Sequence, residues 1–367
     1  MKRLILVITL SLTGACWAAD NADKTEIVPY GYVKVDLAYD NALSSHGNFI
    51  MFAKPHPQGQ TTHTLNFTAR QTRLRLNLIR GRTKGRLEVD FYGGGQENKN
   101  HLMLRKAYVD IPLGPINMHA GQTSDIISPL VPSTLNYTVG WGAGNIGYRR
   151  PQIQISSDIE RFDWAVGIAR SIGNDLNGDT VIDGDAAAIP TAQGRLGVQL
   201  PNTAFGISAH YGLMDAPGAA DDTYCTWSLN ADLKVSLGPS LSVLAESYMG
   251  VNTGVYFGAI LNGDCAHDLK SRGGWLNIQY NPALPWALSF GGGIDDLDNE
   301  HRTYINTASD ARTRNAFVFG NLTYTLQSNV KTGVEISGWQ THYLNPSPAN
   351  SVKAQNIRLQ WSIQTTF

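Results

Sequence analysis

Apolar and polar residues alternate one for one along most of this chain, in short runs broken by turn-forming residues. The last run is the clearest. Ile357, Leu359, Trp361, Ile363, Thr365 and Phe367 share one parity, and Arg358, Gln360, Ser362 and Gln364 share the other. A period of two places such sets on opposite faces of a β-strand. Val33, Val35 and Leu37 repeat the pattern, as do Leu87, Val89 and Phe91, then Ile153 and Ile155, and then Phe162, Trp164, Val166 and Ile168. So do Phe205, Ile207, Ala209 and Tyr211, then Leu229, Ala231, Leu233 and Val235, and finally Trp286, Leu288 and Phe290. Each set predicts a strand with one apolar face. Aromatic residues gather at strand ends, at Tyr39, Tyr108, Tyr211, Trp227, Trp286 and Tyr324.

From Pro29 onward these runs read as one antiparallel meander. Short connections near 81–85, 113–115, 157–161, 201–203, 238–240, 281–285 and 327–329 carry the Gly, Pro, Asn and Ser that tight turns demand. Between them lie longer polar connections near 41–62, 95–100, 123–148, 172–193, 214–222, 252–272, 295–312 and 344–352. Short turns at one rim and long loops at the other predict an all-β chain of about sixteen strands, an antiparallel transmembrane β-barrel with periplasmic turns and extracellular loops. The terminal Phe367, with apolar residues at alternate positions before it, resembles the assembly signal that ends bacterial outer-membrane barrels. That resemblance implies an outer-membrane location, with membrane lipid, lipopolysaccharide and the barrel-assembly machinery as partners. A secreted β-sandwich shows the same alternation but explains neither the unbroken meander nor the last residue.

The N-terminus agrees. Lys2 and Arg3 precede the apolar stretch Leu4 to Leu12, and Ala15-Cys16-Trp17-Ala18 offers a small-residue cleavage site. Residues 1–18 therefore read as a signal peptide, 19–28 as a short N-terminal segment and 29–367 as the barrel. The rival is acylation of Cys16, where Thr13 stands in place of the usual large aliphatic residue. With 29 Lys+Arg against 30 Asp+Glu, the charge is too balanced for a nucleic acid or an acidic polymer as partner. No segment after the leader approaches the ~18–20 apolar residues of a spanning helix. This does not argue against a barrel, whose lipid contact falls on alternate residues. Cys225 and Cys265 remain after cleavage. They form either one disulfide stapling consecutive outer loops or two unpaired thiols.

If the apolar parity meets lipid, the polar parity meets the lumen. In the second strand Leu65, Phe67 and Ala69 share one parity and Leu74, Leu76 and Leu78 the other, so a β-bulge is expected near Gln71. It turns Arg70, Arg73 and Arg75 inward. Lys34 and Asp36 face in from the first strand, Arg86, Glu88 and Asp90 from the third, and Arg358 from the last. Together these predict a contiguous basic wall, continued by Arg150 and Arg195. Arg105 is ambiguous, because its parity neighbours Ala107, Val109 and Ile111 are apolar. The alternative is that these cations merely pair with Asp36, Glu88, Asp90, Glu246 and Glu335.

The connection at 124–148 is the candidate constriction loop. It is long, it carries Ile126, Ile127, Leu130, Val131 and Leu135, and Asp125 is its single acid. Folding inside the barrel hides those apolar side chains, and packing against a neighbouring subunit is the alternative. Facing a basic wall, such a loop favours anions.

Asp175, Asn177, Asp179, Asp183 and Asp185 have the spacing of calcium-loop oxygen donors, but Thr180 and Ala186 replace the turn glycine and the bidentate acid. An ordinary acidic loop is the other reading, and no further cofactor is expected. His63, His101, His119, His210, His301 and His342 are scattered, and no nucleophile, zinc or phosphate-loop motif is present, so catalysis is not expected. Gly93-Gly94-Gly95 and Gly291-Gly292-Gly293 suggest strand-end flexibility or tight subunit packing.

Five segments taken in order resemble the DcaP-like branch of Gram-negative trimeric porins. They are Tyr30-Gly31-Tyr32-Val33-Lys34-Val35-Asp36, Ala69-Arg70-Gln71-Thr72-Arg73-Leu74, Leu104-Arg105-Lys106-Ala107-Tyr108, Gly121-Gln122-Thr123 and Arg150-Pro151-Gln152. The resemblance implies sixteen strands, a homotrimer and passive uptake of small anions such as dicarboxylates through an arginine-lined constriction. Arg70, Arg73 and Arg105 match its arginine set. Two features depart from that branch: the segment before the barrel is short, and Ser124 stands where an aromatic residue is common. The expected function is a diffusion channel for small hydrophilic solutes. The alternatives are a substrate-specific channel and a structural or adhesive barrel with a closed lumen.

Overall fold

The computed structural model describes residues 24–56, 62–94, 100–173, 175, 178–216, 223–262, 268–298, 311–344 and 352–367. The strands are β1 (Glu26–Asp40), β2 (Ser44–His46), β3 (Phe49–Ala53), β4 (Thr64–Thr68), β5 (Arg73–Arg80), β6 (Thr83–Gly93), β7 (His101–Leu113), β8 (Ile116–Ser124), β9 (Arg149–Ile159) and β10 (Phe162–Ala169). After a short helix, α1 (Asp183–Ala186), follow β11 (Thr191–Gln199), β12 (Thr203–Asp215), β13 (Thr223–Ser236), β14 (Leu241–Val251), β15 (Lys270–Tyr280), β16 (Trp286–Leu297), β17 (Arg312–Gln327), β18 (Val330–Tyr343) and β19 (Lys353–Thr366).

β1 closes the sheet. One edge pairs with β19, with Val33 opposite Thr365 and Asp40 opposite Arg358. The other edge pairs with β4 and then β5. These two are halves of one barrel strand: Asp36 faces Thr68 and Tyr32 faces Arg73, so Ala69 to Thr72 oppose only Val33 to Val35. That extra residue is the bulge expected near Gln71. Counted so, the barrel is a closed, antiparallel ring of sixteen strands. Each short connection expected from the sequence joins two strands at one rim, and the long connections lie at the other. Residues 1–23 lie outside the described residues, so the leader expectation is not placed.

The outward face follows the alternation. Leu74, Leu76 and Leu78 on β5, and Ile357, Leu359 and Trp361 on β19, are all exposed. So is Phe367, whose main chain exchanges hydrogen bonds with Gly31. Tyr108 departs from the expected outer belt: it points inward, its ring 4.0 Å from that of His119.

The lumen is not uniformly polar, contrary to expectation. Phe317 and Phe319 on β17 and Trp339 on β18 are buried against Ile50 and Ala53 of the first long loop and Ala143 of the third. Among the described residues three loops fold inward, where one was expected. The first brings the β2–β3 hairpin, and the sixth brings two 3-10 turns, Thr253–Tyr256 and Ala259–Leu261. Apolar loop residues inside a barrel need apolar wall partners, which accounts for the inward aromatics. Gly293 serves the same packing: a Cβ there would stand 2.3 Å from the Ala143 carbonyl oxygen. Gly293 of the β16 glycine run thus makes room for a loop from within, where strand-end flexibility or subunit packing was expected of the run.

Candidate functional site: the lumen constriction

The third loop runs round the inner wall and is moored to successive strands. Asp125 forms an ion pair with Arg150 on β9 (2.7 Å). The Ile126 amide donates to Gln193 on β11 (2.8 Å), and Ser208 on β12 donates to the Ile127 carbonyl (2.9 Å). Glu246 on β14 accepts from Ser128 (2.6 Å) and the Leu130 amide (2.8 Å). Asn277 on β15 accepts from the Ser133 amide, and Asn321 on β17 donates to its carbonyl. Glu335 on β18 accepts from the amides of Leu135 (2.6 Å) and Asn136 (3.4 Å). Gln360 on β19 and Lys34 on β1 both donate to the Leu135 carbonyl. The returning limb is stitched to the other inward loops, by Asn136 to Ile50 and by the amides of Gly142 and Gly147 to the carbonyls of Phe257 and Tyr256.

This course covers the inner wall from β9 to β1; β5, β6 and β7 face open space beside Tyr137, whose hydroxyl accepts from Arg105 (2.9 Å) and donates to Asp90 (3.4 Å). Into that space point Arg73 and Arg75 from β5, Arg105 and Lys106 from β7, and Arg149 at the foot of β9. The space measures ≈ 390 Å³, and its far side is third-loop residues including Val131, Tyr137, Trp141 and Tyr148. Charged side chains on its lining number five basic and two acidic, Glu88 and Asp125. Both acids are sequestered. Glu88 lies within 3.5 Å of Arg73, 2.5 Å of Arg75 and 2.9 Å of Arg105. Its side chain is 1% exposed, against 18% for Arg73 and 21% for Arg75. Arg105 also pairs with Asp90, so two carboxylates serve three guanidinium groups, and the partly exposed Arg73 and Arg75 are what a solute meets first. Rings back them: Tyr32 lies under Arg73, Tyr30 under Arg75, Tyr137 under Arg105 and Tyr148 under Arg149.

Arg105 and Lys106 both enter the lumen because of a second bulge. Glu88 on β6 pairs with Lys106, but the next residue, Val89, pairs with Leu104, so Arg105 is the extra residue. Leu102 and Leu104 before it and Val109 after it are exposed on the outer wall. Lys106 and Arg149 were missed by sequence reasoning. The parity ambiguity at Arg105 was the available signal for Lys106, and Arg149 gave none.

The contiguous basic wall expected from the sequence is divided in two. Arg73, Arg75 and Arg105 face the open space, with Arg86 nearer the short-turn rim, bonded to Asn77 (3.0 Å). The rest are consumed by architecture. Arg70 donates to the carbonyls of Phe91, Gly93 and Gly94 and fixes the first bulge. Lys34 pairs with Asp36 (3.2 Å), and Asp36 also accepts from Gln360 and Ser362. Arg150 is buried between Asp125 and the Tyr256 ring. Arg195 pairs with Asp163 and Asp232 across neighbouring strands. Arg358 pairs with Asp40 (2.9 Å) and donates to carbonyls of Gly47 and Asn48, holding the first loop. It lies opposite Asp40, six positions along β1 from Lys34, a separation of roughly 20 Å. The register therefore sets Arg358 apart from the strand-two arginines. Asp90 pairs with Arg105 (2.5 Å), whereas Glu246 and Glu335 serve as moorings for the loop.

The acidic loop residues are separately engaged. Asp175 accepts from the amides of Asp179 and Thr180, and Asp179 from that of Val181. Asp183 accepts from the Tyr224 hydroxyl (2.7 Å). Asp185 pairs with Arg170, whose hydrogen bond holds that carboxyl below its ordinary range. Among the described residues no three His, Cys, Asp or Glu side chains converge as metal ligands. Asn177 and Cys265 lie outside the described residues, so the calcium set is incomplete and the disulfide to Cys225 on β13 is not placed.

A closed sixteen-strand ring, apolar outside and charged within, with a loop folded into its lumen, defines an outer-membrane β-barrel protein of porin build. A sequence profile of the DcaP outer membrane protein family matches residues 8–201, more than half of the 367, and the chain belongs to that family. In solved structures the fold is similar to that of the outer membrane channel DcaP of Acinetobacter baumannii, with TM-score 0.78 and 17% identity over 94% of this chain and 97% of that one. It is similar also to the trimer form of OmpT of Vibrio cholerae, with TM-score 0.59 and 10% identity over 94% and 100% of the two chains. A third likeness is to Salmonella typhi OmpF in complex with daunomycin, with TM-score 0.57 and 13% identity over 93% and 97%. No curated protein matches the chain in sequence.

Proposed function

We propose that this protein is a passive channel for small hydrophilic solutes that prefers anions, dicarboxylates among them, and that it works as a homotrimer. One observation carries the preference. The open sector of the lumen presents Arg73, Arg75, Arg105, Lys106 and Arg149, while its two lining carboxylates are buried in ion pairs. Low-dielectric walls focus such a field across a narrow aperture, so anions are concentrated there and cations repelled. Loop tethering supports an aperture of fixed shape, and the trimer form of a structural relative supports the assembly. Nothing in this reading calls for a chemical step.

Reversal potentials across a planar bilayer in a salt gradient test it. The expected sign is that of anion permeation, and clear cation selectivity overturns the charge argument. A substrate-specific channel is favoured by the rings beside the arginines, with Tyr92 4.1 Å from Tyr137 and Trp141 5.6 Å from Tyr148. Saturable block by one solute among sugars, phosphates and dicarboxylates distinguishes it. A barrel with no conductance refutes both readings and leaves the structural one.

A further inference from the structure

Charged side chains on the lipid-facing wall gather at the loop rim of one sector. The register carries a row across five neighbouring pairs: Met249 on β14 lies opposite Arg272 on β15, then Asp296 on β16, Arg314 on β17, His342 on β18 and Lys353 on β19. Every member lies within two positions of the loop end of its strand. Lys270, at the loop end of β15, adds a cation beside the row. Lys270, Arg272, Arg314 and Lys353 are exposed. Further along the same outer face of β15, Leu276 and Ile278 are exposed instead, so the row marks the level where the apolar band gives way to the rim.

Two properties set this sector apart from ordinary rim charge. Among the described residues Lys270, Arg272 and Arg314 form no ion pair, whereas Arg170 on the outer rim is matched by Asp185. The row also borders a recess of ≈ 350 Å³ lined by Trp227, Met249, Lys270, Arg272, Asp296 and Asp298. A guanidinium fork and an ammonium at its mouth match the oxygen geometry of a phosphate. The indole of Trp227 and the thioether of Met249, in the same cross-strand rows as Lys270 and Arg272, offer an apolar bed for an acyl chain.

We propose that this recess binds a phosphate of the phosphorylated glycolipid of the outer leaflet, the lipid A part of lipopolysaccharide. Lys270 and Arg272 hold the phosphate, Arg314 extends the positive row beneath the headgroup, and Trp227 and Met249 flank the first acyl chain. Asp296 and Asp298 bound the site and confine the phosphate to the basic side. The inference rests on the outer-membrane location and not on the solute preference, because every residue named lies on the outer wall.

The full-length protein in detergent micelles tests it by native mass spectrometry titrated with bisphosphorylated lipid A. The triple variant Lys270→Ala, Arg272→Ala, Arg314→Ala is expected to lose about a hundredfold in apparent affinity, and Arg272→Lys alone, which keeps the charge and loses the fork, to lose only a part of that. Lipid A stripped of its phosphates is expected to bind the unaltered protein no better than it binds the triple variant. Millimolar inorganic phosphate is expected not to compete, because the headgroup is anchored by its acyl chains. Retained lipid A binding in the triple variant, equal binding of the phosphate-free lipid, or full competition by inorganic phosphate each overturns the proposal. Heat-modifiable migration on gels verifies that the variants are folded. Their bilayer conductance is expected to be unchanged, which keeps this test separate from that of the solute preference.

Discussion

Arg105 and Lys106 are consecutive in the chain, yet both side chains enter the lumen, because the register shift on β7 inserts Arg105 as an unpaired extra residue. A regular strand would have sent one of them into lipid. The bulge therefore doubles the positive charge that this strand can aim at the aperture. It also sets Arg105 deep enough to reach Glu88 and Asp90 at once.

Arg105 and Arg75 should respond differently to loss of charge. Asp90, buried, pairs with Arg105, so Arg105→Met strands a carboxylate and should cost about 3–5 kcal/mol. Arg75 is partly exposed and Glu88 keeps two other arginines, so Arg75→Met should cost under about 1 kcal/mol. Thermal melts followed by circular dichroism compare the two. Equal melting temperatures would sink the distinction.

Selectivity should follow the open cations and ignore the buried ones. Arg73→Gln with Arg75→Gln is expected to lower the anion-to-cation permeability ratio about fivefold, on the order of 1 kcal/mol of potential at the constriction. Arg195→Gln, whose cation is matched by Asp163 and Asp232, is expected to leave the ratio within about twofold. Reversal potentials read both. A larger effect from Arg195 would show that buried charge governs permeation.

Salt should blunt the same preference. The screening length is about 10 Å at 0.1 M and about 3 Å at 1 M, and the partly exposed Arg73 and Arg75 are open to that screening. Reversal potentials measured at a constant concentration ratio should shrink as absolute salt rises. A preference untouched by ionic strength would point to size exclusion instead.

Loop moorings should control the aperture's steadiness. Glu335 accepts from two third-loop amides and Asn321, so Glu335→Ala removes three bonds of about 1.5–3 kcal/mol each, partly offset by water. Single-channel currents from that variant should be noisier and larger on average. Gly144, at φ 105° and with the Gly274 carbonyl oxygen 2.1 Å from where a Cβ would lie, gives a second handle. Gly144→Ala should displace the loop and lower the melting temperature. Currents like those of the unaltered protein in both variants would mean that the loop does not set the aperture.

Much of this was legible in the alternation. Leu65 and Phe67 against Leu74 and Leu76 located the first bulge, because lipid leaves no other reason for a phase change. The apolar content of 124–148 announced a loop that avoids water. What stayed hidden depended on contacts far apart in sequence. Arg358 reads as a pore charge until Gly47 and Asn48 are seen to fold over it, and Arg150 does so until Tyr256 covers it. Inward-facing Phe317 and Trp339 depart from the polar lumen that alternation predicts for the same reason, since their partners come from loops that turn inward only in three dimensions. Alternation reports which face a residue takes, and does not report what fills that face.

The third loop joins β9, β11, β12, β14, β15, β17, β18, β19 and β1 from inside, like cord laced round the inner rim of a drum. Across β6 and β7, among the described residues, only two side-chain hydroxyls of the loop reach the wall, Tyr137 at Arg105 and Asp90 and Tyr148 at Met103, so that arc is where the wall can flex with the fewest moorings to stretch. Squeezing the barrel sideways would move the arginine arc relative to a braced remainder. Bore and bilayer pressure are in that sense one mechanical problem.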